Sequence, residues 1–265
     1  MSTRGALLNV TDGLPLRRLA ASSSLPPELK ILLNEFGTAL WQFGPTEIAA
    51  MLSPAAPPPS SLVDAAYSLL GQNSEDWPKD ADESSFHEPL VCSLNDFLKA
   101  SHLALDRSDP PLISKDERWY SDLRFMLLGT GSCGIHGKDS GSVKREAVGG
   151  ISTQSQVGGP ALAIPVKLDE DWPAVVAQAA RSARILYAIH SLRKFALVVM
   201  FRHTTLELRF LLNHRGGAAV SKALSVVEEE GKKGILRIFL SMLMWRNEED
   251  AGMYSSDVEV NGVAL

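Results

Sequence analysis

The sequence predicts an α/β fold: a small mixed sheet flanked by helices, with an N-terminal helical portion beside it. Three observations predict it. From Pro160 onward the pattern is strand, helix, strand, the unit that builds parallel sheets. A hairpin follows at once, which makes the sheet mixed. Ahead of these lie short segments carrying helix-start and helix-stop signals, with no strand alternation among them.

Each element follows from local chemistry. Residues 1–20 lack periodicity and are expected to form a disordered start. Ser24, then Pro26, Pro27, Leu29, Leu32, Leu33 and Phe36, read as a short capped helix ending at Gly37. Thr46 caps another through Met51. Pro54 and the triplet Pro57, Pro58, Pro59 break the chain, and Ser61 with Asp64 three residues on opens a helix that Gly71 closes. Residues 72–90 are acidic, contain proline and lack period, and predict an exposed loop. Ser93 with Asp96 opens a further helix carrying Leu94, Phe97, Leu98 and Leu105. This helical portion spans 21–110.

The α/β portion spans 111–265. Leu123–Leu128 is an apolar run of strand length. The stretch 129–159 is rich in glycine and serine and predicts a long loop. Ala161–Leu168 reads as a strand, and Trp172, Val175, Val176, Ala179, Ala183, Leu186 and Tyr187 mark one helical face. Phe195–Phe201 reads as a buried strand. Arg202, His203 and Thr204 then turn the chain, so that Leu206, Leu208, Phe210 and Leu212 point inward and Glu207 and Arg209 outward. Ile235–Trp245 is an apolar helix with a narrow polar stripe at Lys233, Arg237 and Ser241.

Composition excludes several classes of function. The chain has 265 residues, 45% of them hydrophobic and 22% charged, ordinary values that exclude wholesale disorder, collagen and coiled coil. Its 2 cysteines, Cys92 and Cys133, are too few for a disulfide framework or a four-thiolate zinc site. The opening MSTRGALLNVTDG has no signal-peptide core, and the longest apolar runs are far too short to cross a membrane. An intracellular protein of cytoplasm or nucleus is the expectation, with no membrane partner.

Charge is unevenly distributed. Residues 1–110 hold 7 Lys and Arg against 14 Asp and Glu, whereas 181–222 hold 8 against the single Glu207. That basic segment, with Arg184, Arg193, Lys194, Arg202, Arg209 and Arg215 as candidate contacts, is an electrostatic footprint for nucleic acid or an acidic protein surface.

Catalytic motifs are incomplete. Gly129, Gly131 and Gly134 spell G-x-G-x-x-G, but no helix-forming sequence follows to meet a pyrophosphate. Lys167, His214 and Arg215 echo protein-kinase positions, yet Gly216 stands where the catalytic Asp belongs and no DFG follows. Ser132 and Cys133 lack a nucleophile elbow, and the histidines show no zinc spacing. Nucleases of the restriction-endonuclease type hold magnesium with an Asp at one strand and E-x-K on the next. Here Asp122, Lys167 and Asp169 offer an inverted version, with lysine in the carboxylate place. If that alternative holds, the three are catalytic and magnesium is the cofactor. Otherwise no metal or cofactor is expected.

One resemblance adds to this reading. The run DWPAVVAQAARSARILYAIHSLRKFALVVMFRHTTLELRFLLNHRGGAAVSKALSV, then EEEGKKGILRIFLSMLMWRNEEDAGM, resembles the region preceding the kinase domain in fungal-type protein kinases of mushroom-forming fungi. Trp172, Gln178, Arg184, Arg193, Phe195, Arg209, His214, Gly216, Gly217, Gly231 and Trp245 carry much of it. In that family the strand before the helix usually holds Glu and Lys two apart, similar to a PD-(D/E)xK core; here Lys167 and Asp169 are exchanged. The resemblance implies a degenerate restriction-endonuclease-like core, a pseudoenzyme accessory domain with a kinase domain as a further partner. Alternatively it implies a truncated fungal-type kinase without phosphotransfer activity, since the sequence ends at Leu265 before any catalytic lobe.

Overall fold

A computed structural model gives the fold, and it describes residues 40–71, 77–78, 83–118, 123–129, 145–151, 162–164, 166–167, 172–189, 193–214, 216–247 and 249–252. The helix expected over Ser24–Gly37 and the disordered start lie outside them. The described residues form one mixed sheet with helices on both faces, an α/β architecture. Strands β1 (Leu40–Phe43), β2 (Leu123–Gly129), β3 (Arg145–Ile151), β4 (Leu162–Ile164), β6 (Phe195–Arg202), β7 (Glu207–His214) and β8 (Gly217–Ser221) stand in the order β1-β8-β7-β6-β4-β3-β2. Two short strands attach at the side, β5 (Val166–Lys167) to β6 and β9 (Leu224–Ser225) to β7. The helices are α1 (Pro45–Leu52), α2 (Ser60–Leu70), α3 (His87–Asp106), α4 (Trp172–Ile189) and α5 (Glu229–Leu243).

The strand–helix–strand unit is present as read: β4 and β5 run parallel to β6, with α4 between them in sequence. The hairpin is present too. Its turn is His203–Leu206 rather than Arg202–Thr204, so Arg202 belongs to β6 and pairs with Glu207. Leu206 takes φ 52° there, a conformation that costs a non-glycine residue about 1 kcal/mol or more.

Alternation along the hairpin sorts side chains into two cores. Leu197, Val199, Phe201, Leu208, Phe210 and Leu212 join the large core that α1, α2, α3 and α5 cover. Ala196, Val198, Met200 and Leu211 join Val175, Val176, Ala179, Ala183 and Leu186 of α4 on the other face. The apolar helix read over Ile235–Trp245 starts earlier, at Glu229, and is buried along most of its length. Its amino end is tied by Ser225 Oγ, which accepts from the Val227 and Glu228 N–H groups at 3.2 and 3.1 Å. Gly231 has to be glycine: a Cβ there would lie 2.1 Å from the Ser225 carbonyl oxygen. Within the polar stripe, Arg237 donates to the Pro58 carbonyl at 3.2 Å, and Ser241 Oγ turns back to the Arg237 carbonyl at 3.0 Å.

Several expectations are corrected. Residues 40–43, inside the portion read as helical, form β1 and pair in parallel with β8. Four residues are too few for alternation to stand out against helical neighbours. Gly44 and Pro45, not Thr46, start α1. The helix read from Ser93 begins at His87, so Ser93 is buried in its interior and caps nothing. The acidic segment 72–90 accordingly contains a 3-10 turn at Glu83–Phe86 and the first turn of α3. Within 129–159, read as loop, Arg145–Ile151 is a strand bonded to β2 on one side and β4 on the other. Glycine lowers strand propensity, and cross-strand bonding overrides it.

Candidate functional site at the carboxyl edge of the sheet

Strand direction decides where the basic residues fall. Strands β4, β5 and β6 are parallel, and Lys167 and Arg202 end at one edge of the sheet. Lys167 stands at the register position beside Arg202. Helix α4 begins at that edge with Trp172 and runs back along the sheet, where Tyr187 donates its hydroxyl to the Asn213 carbonyl at 2.7 Å. In open α/β sheets such carboxyl edges are the usual place for ligands.

Register sets the chemistry of this edge. Arg202 pairs with Glu207, and Met200 with Arg209, so Arg202, Glu207 and Arg209 share the α4 side of the hairpin, the side of Met200 and Leu211. Glu207 and Arg209 face away from the core of Leu208 and Phe210, as their alternation predicts, and α4 on that side leaves both half-buried. The Arg209 guanidinium lies over the Trp172 ring, 4.1 Å from its centroid, a cation–π contact that fixes its position. Burial pushes the Arg209 pKa down to about 10; Glu207 resists that shift and Arg202 adds to it. The Nε atoms of both arginines are shut from solvent with no acceptor among the described residues. Glu207 Oε2 takes the Thr205 hydroxyl at 2.8 Å.

The other candidate contacts lie elsewhere. Arg193 is 2% exposed, a buried residue at the opposite, amino end of β6, so it is not a surface contact. Lys194 follows it and pairs with Glu249 at 2.7 Å. The seven residue steps from Phe195 to Arg202 correspond to about 23 Å, so the basic segment divides between two edges. Arg184 is exposed on α4. Arg215 lies outside the described residues, after His214, which pairs with Phe195 at the amino end.

Of the residues of the nuclease alternative, Asp122 and Asp169 lie outside the described residues. Leu123 pairs with Ile151, and Gly149 with Leu162, which puts Leu123 near the start of β4. Lys167 ends β5 at the other edge, about 20 Å away at ~3.3 Å per residue. Among the described residues no group of three or more His, Cys, Asp or Glu could hold a metal ion, and no helix is long and apolar enough to cross a membrane.

A concavity of about 550 Å³ opens on the helical side between α2 and the end of α3, where apolar Leu62, Leu69 and Leu112 are joined by Ser61, Ser68, Arg107, Ser108 and Asp109.

The sequence points to Arg202 and Arg209 but not to Arg209's partner Trp172, which its spacing assigns to the helical core face. Two residues on different elements 37 positions apart give no local signal of stacking. Compared with known proteins, the chain matches no family model, no curated protein and no solved structure.

Proposed function

We propose that this chain is a non-catalytic accessory or regulatory domain, of the kind that precedes the kinase domain in fungal-type protein kinases. Its core is restriction-endonuclease-like and degenerate, and its carboxyl edge binds nucleic acid or an acidic partner. One observation carries the reading: Arg202 and Arg209 share one face where parallel strands end and α4 begins. Positive charge gathered there, partly desolvated, attracts anions more strongly than scattered surface lysines would. The exchanged Lys167 and Asp169 support binding without cleavage, because an ammonium stands where magnesium would need an oxygen.

Labelled DNA, RNA and polyglutamate, each titrated with protein with and without magnesium, test the reading. The expected result is salt-sensitive retention of at least one polyanion with its length unchanged. Magnesium-dependent cleavage that disappears in Asp122→Ala would make the chain a nuclease instead.

A further inference from the structure

We propose that Arg202 and Arg209 form a subsite for one phosphodiester group of a nucleic-acid backbone. The inference deepens the accessory-domain reading and rests on it, naming the partner class at this edge.

Geometry comes first. Arg202 faces Glu207 and Met200 faces Arg209 across the hairpin, which makes the two arginines diagonal neighbours on one face. Such Cα positions are about 7–8 Å apart, so one small oxyanion lies within reach of both side chains. Arg209 is held over Trp172 at 4.1 Å, so little of its side-chain freedom remains to be lost on binding. Trp172 is also the first residue of the 18-residue helix α4, whose amino end carries partial positive charge.

Unanswered donors come second. The Nε–H groups of Arg202 and Arg209 are both removed from water and find no acceptor among the described residues. Buried donors in folded proteins are normally paired, by protein groups, water or an ion, so an orphan donor is open to an incoming acceptor. Here two orphans occur on adjacent strands.

Charge balance comes third. Among the described side chains of this face, two guanidiniums accompany one carboxylate, Glu207, whose Oε2 already accepts from Thr205. Mutual repulsion of the arginines lowers the pKa of Arg209 further below its ordinary range. A phosphodiester carries a single negative charge on two non-bridging oxygens, one for each guanidinium.

The test is fluorescence anisotropy with a fluorescein-labelled oligonucleotide, single-stranded and duplex, against the full chain. Arg202→Gln/Arg209→Gln is expected to weaken binding about tenfold or more and to lower the slope of log K against log salt by about 0.7–0.9, the counterions of one phosphate contact. Arg209→Lys, which keeps the charge and loses the fork, should weaken binding severalfold with an unchanged slope. Circular dichroism confirms folding. If the double variant melts early, Arg202→Gln alone carries the test, since Arg202 does not stack on Trp172. Equal affinity of a folded variant and the wild type would overturn the subsite and leave the broader reading standing. Polyglutamate binding with the same arginine dependence, in place of DNA, would overturn the phosphodiester assignment. Failure of the wild-type chain to bind DNA, RNA or polyglutamate would remove the accessory-domain reading itself.

Discussion

Trp245 illustrates how a polar handle is placed inside an apolar layer. Its ring is 2% exposed and packs on Phe195 with centroids 6.0 Å apart, while Nε1 donates to the Leu52 carbonyl at 2.6 Å. That bond ties the segment after α5 to the end of α1. Trp245→Phe keeps much of the apolar surface and orphans a buried carbonyl, so it should cost about 1–3 kcal/mol, read as a lower urea midpoint. Arg209 is the opposite case. Its folded pKa is lowered to about 10 by burial, so its charge is a liability of the native state. Below that pH both states hold the proton and the penalty is constant. Above it, the unfolded state keeps the proton longer, and this group's contribution to stability rises with pH. Arg209→Met removes the charge and keeps apolar contact with Trp172. Its urea midpoint at neutral pH should be no lower than the wild type, and the upward drift in alkali should disappear.

At the scale of elements, α5 and the β6–β7 hairpin form the centre of the large core. Phe239 of α5 meets Phe210 and Phe97 edge-on, with ring centroids 6.0 and 6.4 Å away. It thereby joins the helix to strand β7 and to α3 at once. All three rings are fully buried, so Phe239→Ala leaves a void that neighbours on three elements cannot close together. The expected cost is about 3–5 kcal/mol, measured by chemical denaturation. The hairpin itself is legible because an apolar run of strand length is followed, after a short polar turn, by the alternation of Glu207, Leu208, Arg209 and Phe210. Strand β3 was not, because glycines at 149 and 150 mask a segment whose pairing comes from β2 and β4, far along the chain. Helix α3 was placed correctly in kind but started too late, since a Ser-x-x-Asp pattern inside a helix looks like a cap until burial shows otherwise.

At the scale of the whole molecule, the boundary drawn near residue 110 does not separate two cores. Phe43, Ile48, Leu90 and Phe97 lie in the same cluster as Val199, Phe210 and Phe239, and β1 completes the sheet beside β8. A fragment starting at 111 would expose that shared surface and the edge of β8. It is expected to lack a cooperative melt and to bind a hydrophobic dye, whereas the full chain should show a single transition.

The α/β class, the strand–helix–strand unit, the hairpin and the buried helix over Ile235–Trp245 are readable along the chain, because they rest on local period and local turn chemistry. So is the positive charge of Arg202 and Arg209. That Arg193 and Lys194 stand at the far end of β6, and that Arg209 lies on Trp172, comes from the packing of distant segments. The same packing decides that a four-residue strand from the amino-terminal half closes one side of the sheet order. Charge counts carry no direction in space, and strand partners many residues apart are chosen by the burial they share. Both are properties of the assembled sheet.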